Sequence, residues 1–244
     1  MTRPLCVDLF CGLGGWTEGF LAQGWDVIGF DNERHVYGDA RYPAQLVLQD
    51  VRTLHGRQFR AAHMIVASSP CQEFSYRAMP WSRAKALGPP LLGMELFSQA
   101  ARIQREACAA AGRHIPMIQE NVRGAQPYVG RARWHYGSYY LWGDVPAIMP
   151  FSGRVAKVGS LSWNTFGEPG HKAQGFNVEA AKRAAAIRDA EGVKQSLGGH
   201  DWFSGKGSIS RRTGSRSSSR KLASAMIAKI PLPLSTYIAQ VYKP

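Results

Sequence analysis

The chain has 244 residues, 45% of them hydrophobic and 19% charged, a globular composition that excludes wholesale disorder. Its 30 Lys and Arg against 17 Asp and Glu leave a net charge of +13, which points to a polyanionic partner, nucleic acid before any other. No apolar run approaches the roughly 18 residues that cross a bilayer, and the four cysteines lack CxxC spacing, so neither a membrane partner nor a metal is expected. The opening Met1-Thr2-Arg3-Pro4 does not read as a signal peptide, and a reducing compartment follows.

In chain order, residues 5–10 form a short apolar run broken by Cys11-Gly12-Leu13-Gly14-Gly15. Residues 16–23 read as a helix closed by Gly24, a residue suited to a left-handed cap. A second strand covers 26–30 with Asp31 at its end; a third, 45–48, leads to Asp50. A fourth, 64–67, leads to Ser68-Ser69-Pro70-Cys71. Helical spacing spans 91–111, a fifth strand over 115–118 runs to Glu120-Asn121, and one further strand is expected over 136–142. Strands alternating with helices imply parallel βαβ units and a doubly wound α/β sheet. Polar or reactive groups follow the carboxyl ends of successive strands, where open α/β sheets bind ligands.

After about Asp144 the pattern changes. Residues 146–176 are rich in Gly, Pro, Ser and Trp and read as irregular, and 177–191 read as a helix. The tract 204–221 carries Lys206, Arg211, Arg212, Arg216, Arg220 and Lys221 with no acid. It is either a solvated loop or a flexible segment whose charges meet phosphates. Regular structure returns over 222–242.

The turn from Asp8 to Gly15 joins a strand to a helix, and its glycines let backbone approach a ligand at a helix N-terminus. It is not the full GxGxxG fingerprint, because Thr17 stands where the third glycine belongs, and no Lys follows as in a phosphate-binding loop. The glycines alone are equally consistent with a structural turn. Asp31, at the end of the next strand, can accept hydrogen bonds from both hydroxyls of a ribose, and Asp50 can accept from the amino group of an adenine. Together they describe a pocket for an adenosine-containing molecule without phosphate, which S-adenosylmethionine fits better than NAD or ATP. An NAD oxidoreductase would need the longer glycine fingerprint and leaves Pro70-Cys71-Gln72 unexplained.

Cys71 stands at a strand end beside Pro70, either poised at a pocket mouth with its thiolate favoured by nearby cations or helix N-termini, or packed as a small hydrophobe. Glu120 faces the same edge, as a buried carboxyl that keeps a proton or shares one with a substrate nitrogen, or as one half of a salt bridge. Cys6, Cys11 and Cys108 read as packing residues.

In this order the pieces resemble the cytosine-5 DNA methyltransferases. Asp8 to Gly15 is similar to the family's first motif, Asp31 stands at its ribose-binding acid, and Gln49-Asp50-Val51 resembles the adenine-binding motif. Pro70-Cys71-Gln72 with Phe74-Ser75 is similar to the catalytic-cysteine motif, and Glu120-Asn121-Val122 to the Glu-Asn-Val motif. Leu96 opens a helix, Leu96-Phe97 to Ala101-Arg102-Ile103, similar to the one that touches the methyl donor. Arg131-Ala132-Arg133 resembles the Arg-x-Arg that contacts an extruded base. Ile230-Pro231-Leu232-Pro233-Leu234 to Ile238-Ala239 resembles the final motif, which packs beside the first strand. The chain departs from the family where Ala67-Ser68-Ser69 replaces paired glycines, where Ala228-Lys229 replaces Gly-Asn, and where Val129 replaces a Gln.

The resemblance implies a Rossmann-like S-adenosylmethionine-dependent fold, with a catalytic domain over 1–144 plus 222–244. A short, divergent target-recognition region over 145–221 would include the basic tract 204–221. It implies transfer of a methyl group from S-adenosylmethionine to C5 of a flipped-out cytosine through a covalent Cys71–C6 adduct. Glu120, Asn121 and Arg133 would share the catalytic work. Phe10, Gly12, Gly14, Asp31, Asp50, Val51, Pro70 and Leu96 would hold the cofactor, and Gln72, Ser75, Arg131 and Arg133 the substrate. Double-stranded DNA is the implied partner of a monomer working without metal in the cytoplasm of a bacterial, or phage-infected, cell; compact divergence suggests a bacteriophage source and a restriction-modification setting. The alternatives are the same chemistry on RNA, transfer of a larger alkyl group from a modified donor, and an inactive DNA-binding homologue.

Overall fold

The computed structural model describes residues 2–75, 88–149, 221–222, 225–226 and 228–244. The expected irregular segment 146–176, the helix over 177–191 and the basic tract 204–221 lie outside the described residues, apart from residues 146–149 and Lys221.

The strands are β1 (Leu5–Leu9), β2 (Asp26–Asp31), a small pair β3 (Val36–Tyr37) and β4 (Ala40–Arg41), β5 (Gln45–Leu48), β6 (Met64–Ser68), β7 (Met117–Asn121), β8 (Trp134–Tyr136) and β9 (Tyr139–Gly143). The helices are α1 (Gly15–Ala22), α2 (Leu91–Ala111), the short α3 (Gln126–Val129) and α4 (Leu232–Val241). Seven strands form one sheet in the order β5-β2-β1-β6-β7-β9-β8. The first five are mutually parallel, whereas β9 runs antiparallel to β7 and to β8. The chain steps outward from β1 to β2 and β5, then returns to place β6 on the other flank of β1. That reversal opens a crevice at the carboxyl ends of β1 and β6.

Both faces of the parallel core are covered, so its strands are apolar throughout. The pleat divides them by period two. Cys6, Met64, Val66 and Ile118 join Trp16, Phe20 and Trp25 with Leu234 and Ile238 of α4 on one face. Val7, Leu9, Ile65, Ala67 and Met117 meet Ala100, Ile103 and Ala107 of α2 on the other. In α2 those three buried positions follow helical spacing, and Gly112 closes the helix at φ 63°.

Between α1 and α4 there is no room for side chains. A Cβ on Gly19 would stand 2.3 Å from Ser235 Oγ, and one on Gly15 would stand 2.3 Å from the backbone N of Ile230. Trp25 Nε1 donates to the carbonyl of Ala239 at 3.1 Å. The C-terminal segment therefore packs on α1 as well as beside β1.

Three expectations need correction. The single strand over 136–142 is a hairpin: Gly137 takes φ 58° and turns the chain between β8 and β9. Such a turn breaks neither aromatic content nor alternation, which is why the sequence reads as continuous there. The fifth strand starts at Met117 and includes Glu120 and Asn121 instead of ending before them. Regular structure after residue 222 is interrupted at Lys229–Pro231 before α4 begins, as two prolines near its start require.

Candidate active site

The Gly-rich turn is held in an unusual conformation. Phe10 takes φ 56°, and Gly12 and Gly14 take φ 51° and 79°. At Gly14 a Cβ would stand 2.6 Å from Pro43 Cδ, so that glycine is a packing requirement. At Gly12 a Cβ would meet nothing within 4 Å, so the backbone there borders open space. The amide of Gly12 donates to Asp31 Oδ2 at 2.9 Å, and that of Glu33 to Oδ1 at 3.2 Å. Burial would raise the Asp31 pKa, yet His35, 3.7 Å away, and these two amides outweigh it and hold the carboxyl below its usual range. Asp50 caps the turn Val51–Thr53, and both its oxygens accept from Arg52, which lowers its pKa as well.

Asp8 lies deeper, 1% exposed. Its Oδ2 accepts from Thr17 Oγ1 at 2.6 Å, whereas Oδ1 is buried with no hydrogen-bond partner among the described residues. Burial raises its pKa to about 8.

On the opposite flank, the loop after β6 is anchored from below. Asn121, fully buried, donates through Nδ2 to both the carbonyl and Oγ of Ser69 at 3.0 Å, and its Oδ1 accepts from the amide of Val122. Gln119 Nε2 reaches Ser69 Oγ at 3.3 Å and the carbonyl of Phe97 at 2.9 Å. Glu73 accepts from the amide of Gly93 at 2.7 Å, and Phe74, 1% exposed, lies so close to Gly124 that a Cβ there would stand 2.1 Å from its carbonyl oxygen. These contacts hold Cys71 half-buried at the end of β6.

Glu120 sits one residue from Asn121, so the pleat sends the two side chains to opposite faces of β7. Burial raises the Glu120 pKa to about 8 against a hydrogen bond from Ser68 that lowers it. Burial, then the charge of Glu120, pushes the Cys71 thiol up to about 11. Of the two readings of Cys71, the thiolate favoured by neighbouring cations is therefore corrected: in this arrangement the resting thiol keeps its proton, because it is buried and its neighbour is a carboxyl.

One cavity of about 960 Å³ joins the two flanks. Of the expected cofactor residues, Phe10, Gly12, Asp31, Asp50, Val51, Pro70 and Leu96 line it. Cys71, Glu120, Gln72 and Ser75 line it as well. Leu96 belongs to the second turn of α2, which begins at Leu91, and so does not open the helix. Gly14 lies behind the cavity as the N-cap of α1, and Asn121 lies beneath it. Arg131 and Arg133 are not brought to it: both are exposed, and Arg133 offers its amide to the carbonyl of Leu141. The cavity also takes in Asp8, Trp16, His35, Ser68 and Tyr139, which the sequence did not single out. His35 follows Asp31 at i+4, and Ser68 occupies a departure from the family pattern; those were the available signals.

Residues 5–125 match the family model described as C-5 cytosine-specific DNA methylase. Over those residues the chain is similar to that family. Type II methylase M.HgiDII of Herpetosiphon aurantiacus is 30% identical over 79 residues, 28% of this chain and 22% of that protein. Among solved structures, a DNA modification methyltransferase encoded within an E. coli prophage is similar at 22% identity and TM-score 0.36, over 50% of this chain and 33% of that one. The Entamoeba histolytica methyltransferase EhMeth is similar at 12% identity and TM-score 0.34, over 52% and 40% of the two chains. The matches thus cover about a fifth of the Herpetosiphon methylase and about a third of the prophage enzyme. The mostly parallel sheet with helices on both faces is the Rossmann-like architecture expected of a cytosine-5 methylase domain. Among the described residues no helix is long and apolar enough to cross a membrane, and no group of three or more His, Cys, Asp or Glu could hold a metal ion.

Proposed function

We propose that the chain methylates C5 of cytosine in double-stranded DNA, using S-adenosylmethionine and a transient bond between Cys71 and C6. The observation that carries this reading is the common cavity, lined by Asp31 and the Gly-rich turn on one flank and by Cys71 and Glu120 on the other.

The residues suit the donor. Asp8 and Asp31 border a cationic ligand's space with buried carboxyls, and the orphaned Asp8 Oδ1 lacks a donor that a ligand can provide. Gly12 leaves room for close approach, Asp31 faces ribose hydroxyls, and Asp50, Val51 and Leu96 complete the adenosine side. Bound there, S-adenosylmethionine supplies an electrophilic methyl group on a sulfonium.

The protein's own part begins with Cys71. Its proton must pass to solvent before attack, and a neutral Glu120 removes the like charge that opposes thiolate formation. The thiolate adds to C6 while Glu120 passes its proton to N3, so the electron pair displaced from the C5–C6 bond makes C5 nucleophilic. C5 takes the methyl group; loss of the C5 proton to solvent then expels the Cys71 thiolate and restores the double bond, and N3 returns its proton to Glu120. Asn121 fixes the loop through Ser69. A base stacked in a duplex exposes neither C6 face nor N3, so it must be flipped out, at a cost of a few kcal/mol. The surplus positive charge of +13 offsets that cost through phosphate contacts. Residues 1–144 plus 222–244 form the catalytic domain in this reading, with 145–221 as the target-recognition region.

A tritium-transfer assay tests it. Label should enter cytosine C5 in double-stranded DNA and not in tRNA; label confined to tRNA would move the substrate to RNA, and no transfer to either would end the methyltransferase reading.

A further inference from the structure

Position 68 departs from the family pattern of glycines before the catalytic loop, and the structure gives its hydroxyl two neighbours. Trp16 Nε1 donates to Ser68 Oγ at 3.0 Å. An indole N–H has no acceptor capacity, so this contact runs in one direction only. It occupies a lone pair on the serine oxygen and leaves the single O–H to be donated elsewhere. Ser68 of β6 stands in direct register with Glu120 of β7, and in a parallel pair such neighbours lie on the same face. Trp16, Ser68 and Glu120 all line the cavity.

We propose, building on the methyl-transfer reading above, that Trp16 and Ser68 form a one-way hydrogen-bond relay that aims the Glu120 carboxyl into the cavity and steadies its ionised form. Ser68 is a positioning residue: it touches no substrate and acts through Glu120. The relay matters because Glu120 must give up a proton to the ring and take one back in each cycle. Burial favours the neutral acid, and within a strand the backbone amides are spent on the ladder, so few donors can stabilise the anion. Ser68 provides one, kept in its donor role by Trp16. Cys71 from the loop after β6 and Tyr139 from β9 are the titratable groups facing Glu120 among the described residues.

The test compares Ser68→Ala and Ser68→Thr with the wild-type chain. Removing the hydroxyl should raise the Glu120 titration midpoint by about one pH unit, roughly what one hydrogen bond to the anion supplies. The midpoint is read by carbon NMR of labelled glutamate carboxyls in the full-length protein, with Glu120→Gln to assign the signal. The alkaline limb of the methyl-transfer rate should move upward by the same amount, and Ser68→Thr should restore both. An unmoved carboxyl titration in Ser68→Ala overturns the relay, as does a moved titration that leaves the pH–rate limb where it was. If the wild-type chain transfers no methyl group at all, the functional reading fails, while the carboxyl titration still decides whether Ser68 controls Glu120.

Discussion

The two flanks of the cavity hold their acids in opposite states. On the β1–β2–β5 flank, His35 together with amides of the Gly-rich turn and of the segment after β2 outweighs burial at Asp31 and keeps it ionised below the usual range. On the β6–β7 flank, Glu120 lies inside a strand whose amides are committed to the ladder, and burial keeps it neutral up to about pH 8. Two carboxylic acids thus do two jobs according to how many hydrogen-bond donors reach them. A fixed carboxylate suits a cationic donor; a neutral carboxyl beside a thiol suits proton exchange with a base.

The largest effect that separates the flanks is expected at Cys71. Cys71→Ser should abolish methyl transfer, because an alcohol is a far weaker nucleophile than a thiolate, while donor affinity by calorimetry stays within about twofold. Retained turnover would remove Cys71 from the chemistry. Asp31→Ala should do the reverse: loss of charge-assisted hydrogen bonds weakens donor binding by about 10- to 100-fold with DNA affinity unchanged. Equal losses of both affinities would erase the division between the flanks.

A smaller effect concerns stability. Asp8 and Glu120 carry folded-state values near pH 8, raised from 3.8 and 4.5. Between those limits the unfolded chain releases protons that the folded chain keeps, so stability is full at the acid end and falls as pH rises toward about 8. Glu120→Gln removes one of the two groups. Its thermal midpoint should therefore fall less steeply with rising pH, because the slope of its unfolding free energy lessens by at most roughly 1.4 kcal/mol per pH unit. Parallel midpoint curves for the two proteins would mean that Glu120 ionises normally in the fold.

Much of this was legible in the sequence because the parallel strands are continuous apolar runs and their reactive residues follow the apolar part of each, at the strand's last positions or in the loop after it. Asp31, Cys71 and Glu120 were found by that rule, and they meet in one cavity. The hairpin at Gly137 was missed because β8 and β9 are both aromatic-rich, so only a glycine separates two strands from one. Ser68 and Trp16 were missed for another reason. Their role depends on register between β6 and β7 and on how α1 lies over the sheet, and neither is written in local pattern. Arg131 and Arg133 show the converse: a motif matched in sequence whose side chains stand at the surface, away from the cavity. Of the two readings open for Cys71, the favoured thiolate fails: burial first, and then the carboxyl of Glu120 from a strand nearly fifty residues on, raise its pKa, and neither is visible in the local sequence.

The covalent step is tested most directly by incubating the protein and S-adenosylmethionine with a duplex containing 5-fluorocytosine at its modification sites. After methyl transfer the fluorine cannot leave as a proton does, so the enzyme should remain bonded to the DNA. Mass spectrometry should place that bond on the Cys71 peptide, and the Cys71→Ser protein should give none. Methylation of ordinary cytosine without any trapped species, or a bond to a different residue, would contradict the assignment of Cys71 as the nucleophile.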